Sequence, residues 1–189
     1  MADDMSSVAR FLYEAGTLKA TARTGWWMAG VRDLESVAEH SWRTAIIATL
    51  DGAGPARAAV LATWHDTQET RTSGVNYLGR RYAPQADPEA VTADQVAGMP
   101  DVLASAIRDV FAEYEAKETP EALCASDADK FECMIQGIEY KSQGYENAQP
   151  WIDNSRARIK TKAGQELADA VLATGSLDWL RTALGEQQR

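Results

Sequence analysis

The sequence predicts an all-α fold in a single domain, and three observations support this. Residues of high helix propensity (Ala, Leu, Glu, Arg and Gln) dominate long stretches of the chain. A β-hairpin often shows an Asn-Gly or Asp-Gly dipeptide between two alternating apolar runs. No such arrangement occurs in this sequence. Helix start and stop signals recur along the sequence, and no repeat, linker or low-complexity tract divides it. We therefore expect one domain over residues 1–189.

The clearest helix start is a capping box, in which Ser36 is followed three residues later by Glu39. The hydroxyl and the carboxylate of such a pair each accept a hydrogen bond from a free backbone N–H at the helix start. The helix is predicted to run to about Leu50, where a Gly-Ala-Gly sequence interrupts it. Pro55 then occupies a first helical position, and a second helix is expected to continue to about Arg71.

The rest of the chain is also predicted to be helical, except for an irregular stretch over 72–88 that contains Gly, Pro and Tyr. A Thr-Pro-Glu sequence at 119–121 opens the longest of these helices, and Gly144 closes it. The predicted helices cover residues 88–97, 100–117, 120–144, 155–173 and 176–184.

Charge and hydropathy limit the partners that we expect. The chain has 19 Lys and Arg against 28 Asp and Glu, a net charge of −9, which repels a nucleic-acid backbone. No apolar run approaches the ~18 residues of a membrane span, and the N-terminal residues lack the pattern of a signal peptide. We therefore expect a cytoplasmic protein that binds neither nucleic acid nor membranes. A small anionic substrate is compatible with this charge if a cation reverses the potential locally.

The chain contains only two histidines, His40 and His65, and each lies beside a carboxylate in a predicted helix. Neighbouring helical residues point about 100° apart, so His65 and Asp66 can converge on one cation. Glu69 lies four residues after His65 and shares its face one turn along. On spacing alone, a metal site and an ordinary buried histidine both remain possible.

Several short motifs follow one another along the chain. They are Arg23-Thr-Gly-Trp26, Glu35-Ser-Val-Ala-Glu-His40-Ser, His65-Asp66-x-x-Glu69, Glu113-Tyr-Glu115, Asp127-Ala-Asp129-Lys-Phe-Glu132 and Gln136-Gly-Ile-Glu139-Tyr140. Their order and spacing resemble those of the HD-domain metal-dependent phosphohydrolases, and within them the YfbR-like 5′-nucleotidases. The similarity covers residues 12–145, which we expect to form the core around the site, with C-terminal helices over 155–187 packed on it.

The resemblance implies a metal held by His40, His65, Asp66 and Asp129. Helical periodicity alone favours Asp127 over Asp129, because Asp127 shares the apolar face of its helix. The resemblance favours Asp129 and makes Asp127 a solvated or capping carboxylate. Two neutral imidazoles and two carboxylates suit one Mn²⁺, Co²⁺, Ni²⁺, Fe²⁺ or Zn²⁺ ion better than Ca²⁺. No further histidine is left to hold a second metal.

The resemblance also implies roles around the metal. Glu69 would orient the attacking water or protonate the leaving oxygen. Arg23 would bind the phosphate, since a guanidinium matches phosphate oxygens, and Trp26 would pack against the sugar or base. A surface Arg and a core Trp are equally compatible with the sequence. One departure concerns Gly74, which occupies a position where the family usually has an Asp that contributes to the sugar pocket.

The function implied is metal-dependent hydrolysis of (deoxy)nucleoside 5′-monophosphates by a homodimer. Two alternatives remain. A deoxynucleoside triphosphate triphosphohydrolase would need more cationic side chains near the pocket, for which Arg71, Arg80 and Arg81 are candidates. A non-catalytic module that binds a nucleotide or metal would not require Glu69.

Overall fold

The computed structural model describes residues 5–84 and 86–185, and ten α-helices lie within them. Inside these ranges the β pairing is limited to one isolated bridge, between Ala22 and Ser36. The all-α prediction is therefore confirmed. The helices are α1 (Met5–Gly16), α2 (Val37–Ala48), α3 (Pro55–Trp64), α4 (Glu69–Thr72), α5 (Pro88–Gln95), α6 (Asp101–Ala116), α7 (Pro120–Ser142), α8 (Gln149–Arg158), α9 (Lys162–Ala173) and α10 (Asp178–Ala183).

Helix α7 forms the centre of the fold and packs against α2, α3, α6, α8 and α9. Its Met134 is fully buried, as is Leu61 of α3, and both belong to the largest apolar cluster. Gly137 allows α8 to approach closely, because a β carbon there would lie 2.8 Å from Cγ1 of Ile152. Packing therefore fixes the side chains on α7 relative to α2, which carries His40, and relative to α3, which His65 directly follows.

Helix α2 begins as predicted. The hydroxyl of Ser36 accepts from the N–H of Glu39 at 3.2 Å, and the carboxylate of Glu39 accepts from the N–H of Ser36 at 2.6 Å. This capping box fixes where the first helical turn begins. His40 is in that turn, so the cap also fixes the position of this imidazole.

The predicted continuous helix from Pro55 to Arg71 is wrong in its second half. Helix α3 ends at Trp64, and a tight turn separates it from the short helix α4. The carbonyl of Trp64 accepts both the N–H of Thr67, at 3.0 Å, and its hydroxyl, at 2.8 Å. Such local hydrogen bonds compete with the regular helical ladder. His65 consequently lies at the C-terminal end of α3.

The predicted single helix over 155–173 is also wrong, since α8 and α9 are separate. The break is stabilised by Asp127 of α7, whose carboxylate accepts from the N–H groups of Lys160 and Thr161 at 2.8 and 2.6 Å. Thr161 then caps α9 by accepting from the N–H of Gly164 at 3.1 Å.

The last helix, α10, is less buried than its spacing of leucines suggests. Leu177, Leu180 and Leu184 recur at helical spacing but are 56%, 37% and 66% exposed. The predicted C-terminal segment runs to residue 187 and so extends past the described residues. Within the described ranges, no helix is both long and apolar enough to cross a membrane.

Candidate metal centre

The side chain of His40 is fully buried between α2 and α7. Its Nδ1 lies 2.5 Å from Oε2 of Glu132. Because an ionised carboxylate only accepts hydrogen bonds, Nδ1 carries the proton in this contact. The other nitrogen, Nε2, faces Oδ1 of Asp129 at 3.3 Å and Oδ2 of Asp66 at 3.8 Å. Glu132 therefore aims Nε2 of His40 at two carboxylates.

The side chain of His65 is oriented in the same way by the backbone. Its Nδ1 lies 2.7 Å from the carbonyl oxygen of Ala62, which can only accept, so Nδ1 carries the proton. Its Nε2 is buried and, among the described residues, has no hydrogen-bond partner. This nitrogen lies 3.1 Å from Oδ2 of Asp66 and 4.0 Å from Oδ1 of Asp129.

The arrangement fits a divalent cation. In the neutral imidazole that metal binding requires, Nε2 of His65 is an acceptor like the neighbouring carboxylate oxygens, and a cation between these atoms would satisfy them together. One ligand atom from each of His40, His65 and Asp66 lies within 4.8 Å of the other two. Mixed imidazole and carboxylate ligands suit divalent transition metals, so the chemistry of the donors matches the group that the sequence predicts.

In the metal-free chain the same charges act on His40. Burial and the nearby Arg23 lower the pKa of its imidazole, but Asp129 and Glu132 outweigh them and raise the pKa to about 9. A proton therefore provides positive charge at a position where carboxylates converge.

The structure separates the roles of Asp127 and Asp129. Asp129 faces both histidines through Oδ1, and its Oδ2 contacts the ammonium group of Lys130. Asp127 is 5% exposed, as the periodicity indicated, but its carboxylate is occupied by the N–H groups before α9. It is a capping carboxylate, but it is buried rather than solvated.

Glu132 and Arg43 form a network behind His40 that the sequence interpretation missed. Glu132 is 1% exposed, and its Oε1 accepts from Nη2 and Nε of Arg43 at 2.8 and 3.0 Å. Arg43 also contacts Glu139 at 2.8 and 2.9 Å. Burial opposes ionisation of Glu132, but its contacts with His40 and Arg43 lower its pKa overall. Two signals were available: Glu132 lies one helical turn after Asp129, and it ends one of the motifs that carry the resemblance.

Arg23 contacts a predicted metal ligand, whereas Trp26 does not, and the two side chains differ in exposure. Nη1 of Arg23 donates to Oδ2 of Asp66 at 3.0 Å, and its side chain keeps 20% of its exposure. Trp26 is only 2% exposed, packs edge-on against Tyr140 at 5.1 Å, and donates to Oε1 of Glu35 at 2.9 Å. The structure thus brings Arg23 to the site, whereas it places Trp26 in the core, the alternative that the sequence left open.

Glu35 was also missed as an individual site residue. It is 8% exposed and lies 3.7 Å from Nε of Arg23. Burial, followed by the nearby charge of Glu132, raises its pKa to about 7. Because the Trp26 indole donates to Oε1 of Glu35, it orients this carboxylate next to Arg23. The buried aromatic side chain thus supports the site indirectly.

Glu69 lies at the first position of α4, directly after the turn that carries His65 and Asp66. Burial, followed by the negative charge of Asp66, raises the pKa of Glu69 to about 7. No donor among the described residues is hydrogen-bonded to its carboxylate. A partly buried carboxylate without a protein partner is available to exchange protons with a ligand.

Comparisons with known proteins show the family to which the chain is related. The family profile described as "HD domain" matches residues 15–171. The 5′-deoxynucleotidase hdd1 of Schizosaccharomyces pombe is 31% identical over 144 residues, covering 71% of this chain and 73% of that protein. The human 5′-deoxynucleotidase HDDC2 is 28% identical over 142 residues, covering 71% and 69%.

Solved structures show the same fold. A conserved hypothetical protein from Pyrococcus furiosus superimposes with a TM-score of 0.73 at 26% identity, covering 88% of this chain and 99% of that one. A predicted metal-dependent phosphohydrolase from Magnetospirillum magnetotacticum gives a TM-score of 0.67 at 22% identity, covering 89% and 91%.

Proposed function

Because the chain belongs to the HD-domain family, we propose that it is a metal-dependent phosphomonoesterase that hydrolyses (deoxy)nucleoside 5′-monophosphates to nucleoside and phosphate. The 5′-deoxynucleotidase relatives support the substrate class. The observation that carries the proposal is that Nε2 of His40 and Nε2 of His65 each lie within 4.0 Å of carboxylate oxygens of both Asp66 and Asp129.

In this proposal His40, His65, Asp66 and Asp129 hold one divalent transition metal per chain, drawn from Mn²⁺, Co²⁺, Ni²⁺, Fe²⁺ and Zn²⁺. Such an ion supplies positive charge that stabilises a reacting phosphoryl group and favours ionisation of water. The chain's contribution is to orient the ligands. Glu132 fixes the imidazole of His40, as hydrogen-bonding carboxylates do for metal-bound histidines in general.

Arg23 would bind the substrate phosphate. Its guanidinium is charged at any physiological pH. Burial opposes this charge, but the carboxylates of Asp66, Asp129 and Glu35 outweigh burial and raise the pKa of Arg23 further. One nitrogen contacts Asp66, and the remaining donors of the planar group can pair with phosphate oxygens. Arg23 would thereby place the phosphorus atom next to the metal ligands.

Glu69 would move the proton. It is near Asp66, and no donor among the described side chains occupies its carboxylate. It can accept a proton from the attacking water or give one to the leaving 5′-oxygen, and a general acid or base of this kind contributes about 10²–10⁴-fold to rate. Glu69→Ala should therefore reduce kcat by about that factor while the metal stays bound.

The structure gives less support to the triphosphohydrolase alternative. Two of the arginines that could serve a triphosphate are already engaged, since Arg71 pairs with Glu14 at 2.7 Å and Arg80 donates to the carbonyl of Val75 at 2.9 Å. A non-catalytic module would have no use for the Glu69 carboxylate, which no donor within residues 5–84 and 86–185 engages.

The test is a panel of ribo- and deoxyribonucleoside mono- and triphosphates with added Mn²⁺ or Co²⁺, in which phosphate and triphosphate are measured separately. We expect phosphate from monophosphates. Release of triphosphate would favour the triphosphohydrolase, and metal binding without turnover would favour the non-catalytic module. The proposed homodimer is checked by light scattering on the same protein.

A further inference from the structure

The motif Glu113-Tyr114-Glu115 near the end of α6 takes no part in the proposed function. Glu113 has a structural role, since its carboxylate accepts from Nε of Arg57 at 2.8 Å and from the hydroxyl of Thr119 at 2.8 Å. Glu115 is exposed. Tyr114, in contrast, is 6% exposed and belongs to the largest apolar cluster. Tyr114 is therefore the motif residue whose side chain reaches into the fold.

The ring of Tyr114 packs against a predicted metal ligand. Its centroid lies 5.4 Å from the centroid of the His65 imidazole, and the two ring planes are tilted by 51°. The ammonium group of Lys117 lies 5.6 Å from the same centroid, a distance at which a cation is attracted to an aromatic ring. These contacts and the surrounding apolar cluster restrict the ring before any ligand binds.

The hydroxyl of Tyr114 has no hydrogen-bond partner within residues 5–84 and 86–185. A buried tyrosine usually places its O–H against an acceptor. In the same ranges, the fully enclosed side-chain polar atoms without a partner belong to Ser41, His65 and Gln95. The residual exposure of Tyr114 therefore includes its hydroxyl. A largely buried side chain thus ends in a donor that a ligand can reach.

The charges around this hydroxyl are those of the candidate metal centre. Burial, followed by the negative charges of Asp129 and Asp66, raises the pKa of Tyr114 well above its usual range, and Arg23 acts in the opposite direction. The same two carboxylates lie 4.0 and 3.1 Å from Nε2 of His65. Because charges shift the pKa of a group that lies near them, the hydroxyl is directed toward the predicted ligands and Arg23.

We propose that Tyr114 is a substrate-binding residue, whose hydroxyl donates to an oxygen of a phosphate group bound at the metal centre. The inference rests on the proposed function, because it takes the ligand of this centre to be a phosphate ester. Phosphate oxygens accept hydrogen bonds, and Tyr114 offers a neutral donor in addition to the cationic Arg23. Since the ring is already restricted, little conformational freedom is lost when the bond forms.

The test substitution is Tyr114→Phe, which removes the hydroxyl and keeps the ring, and Tyr145→Phe is its matched control. Tyr145 is half-buried and packs edge-on against Tyr140 at 6.1 Å, in a separate apolar cluster. The main measurement is a calorimetric titration of inorganic phosphate into the Co²⁺-loaded protein. KM and kcat for nucleoside monophosphates are measured on the same variants.

A hydrogen bond to a charged group corresponds to about 10–100-fold in affinity. We expect Tyr114→Phe to weaken phosphate binding and to raise KM by about that factor, with kcat within about threefold, because the bond forms on binding. Tyr145→Phe should match wild type. Cobalt content and the denaturant midpoint without phosphate should be unchanged in Tyr114→Phe, since its hydroxyl has no partner in the described part of the free protein.

Several outcomes would overturn the inference. They are an unchanged phosphate affinity in Tyr114→Phe, an equal loss in Tyr145→Phe, a loss of cobalt or stability that accounts for the weaker binding, and a wild type that binds no phosphate. If wild type binds phosphate but hydrolyses no nucleotide, the proposed function fails, and the titration still decides whether Tyr114 binds a phosphate group.

Discussion

Replacing Glu132 with Gln tests whether the buried carboxylate behind His40 controls the metal site. The substitution keeps the size of the side chain and removes its charge. Glu132 uses one oxygen for His40, at 2.5 Å, and the other for Arg43, at 2.8 and 3.0 Å. An amide has only one oxygen, so its NH₂ group must face a donor on one side. Either His40 loses its acceptor or the guanidinium of Arg43 faces another donor.

The expected effect follows from these contacts. Mutating the hydrogen-bond partner of a metal-bound histidine typically weakens metal binding about 10–100-fold, which corresponds to roughly 1.4–2.7 kcal/mol. Stability should also fall by roughly 1–3 kcal/mol, because a buried donor is left unpaired. Arg43 keeps its contacts with Glu139, which limits the loss.

The assay is a competition titration of Co²⁺ against a chelator, combined with guanidinium unfolding of the metal-free protein. Glu139→Gln is the matched control, since Glu139 also pairs with Arg43 but is 35% exposed and belongs to the rim of the network. It should leave metal affinity within about twofold and lower stability by less than about 1 kcal/mol. Equal metal affinities of Glu132→Gln and wild type would refute the reasoning, as would an equal loss in Glu139→Gln.

Three other predictions concern the fold and the assignment of the ligands. Gly137→Ala should destabilise the protein by about 1–3 kcal/mol in denaturant unfolding, because its β carbon would overlap Ile152; unchanged stability would contradict the close packing of α7 on α8. The contact with Arg71 is the main cause that lowers the pKa of Glu14 from 4.5 to about 2, so Glu14 contributes stability above pH 4.5 that is lost as the pH falls toward 2. Glu14→Gln should thus be less stable than wild type at pH 7, with a difference that shrinks over that range, and a constant difference would count against the assignment. Asp127→Ala should lower the free energy of unfolding by about 1–3 kcal/mol and leave metal content intact, and loss of metal in this variant would argue for the periodicity-based choice of ligand.

The helices were largely predictable because their ends carry local signals. The capping box of Ser36 and Glu39 and the proline at position 55 act within a few residues, so the sequence reveals them directly. The end of α3 was not predictable in this way. The hydroxyl of Thr67 hydrogen-bonds to the carbonyl of Trp64 and so competes with the backbone N–H groups of a continuing helix. Helix propensity does not predict that contact.

The candidate site was predicted less completely than the helices. Periodicity correctly indicated that Asp127 is buried, but burial did not reveal its partner, since the backbone before α9 lies more than thirty residues away. Long-range partners of this kind follow from tertiary packing, and the same holds for the contact of Glu132 with His40. The resemblance supplied the choice of Asp129, which spacing alone did not favour.

The most direct test of the whole account is the position of the metal itself. Crystals soaked in Mn²⁺ or Co²⁺ should show one anomalous scattering peak per chain, bounded by Nε2 of His40, Nε2 of His65 and the carboxylates of Asp66 and Asp129. His40→Ala should abolish the peak and the bound equivalent in elemental analysis. A peak elsewhere, or full metal content in His40→Ala, would contradict the claim that these four side chains form a single divalent site.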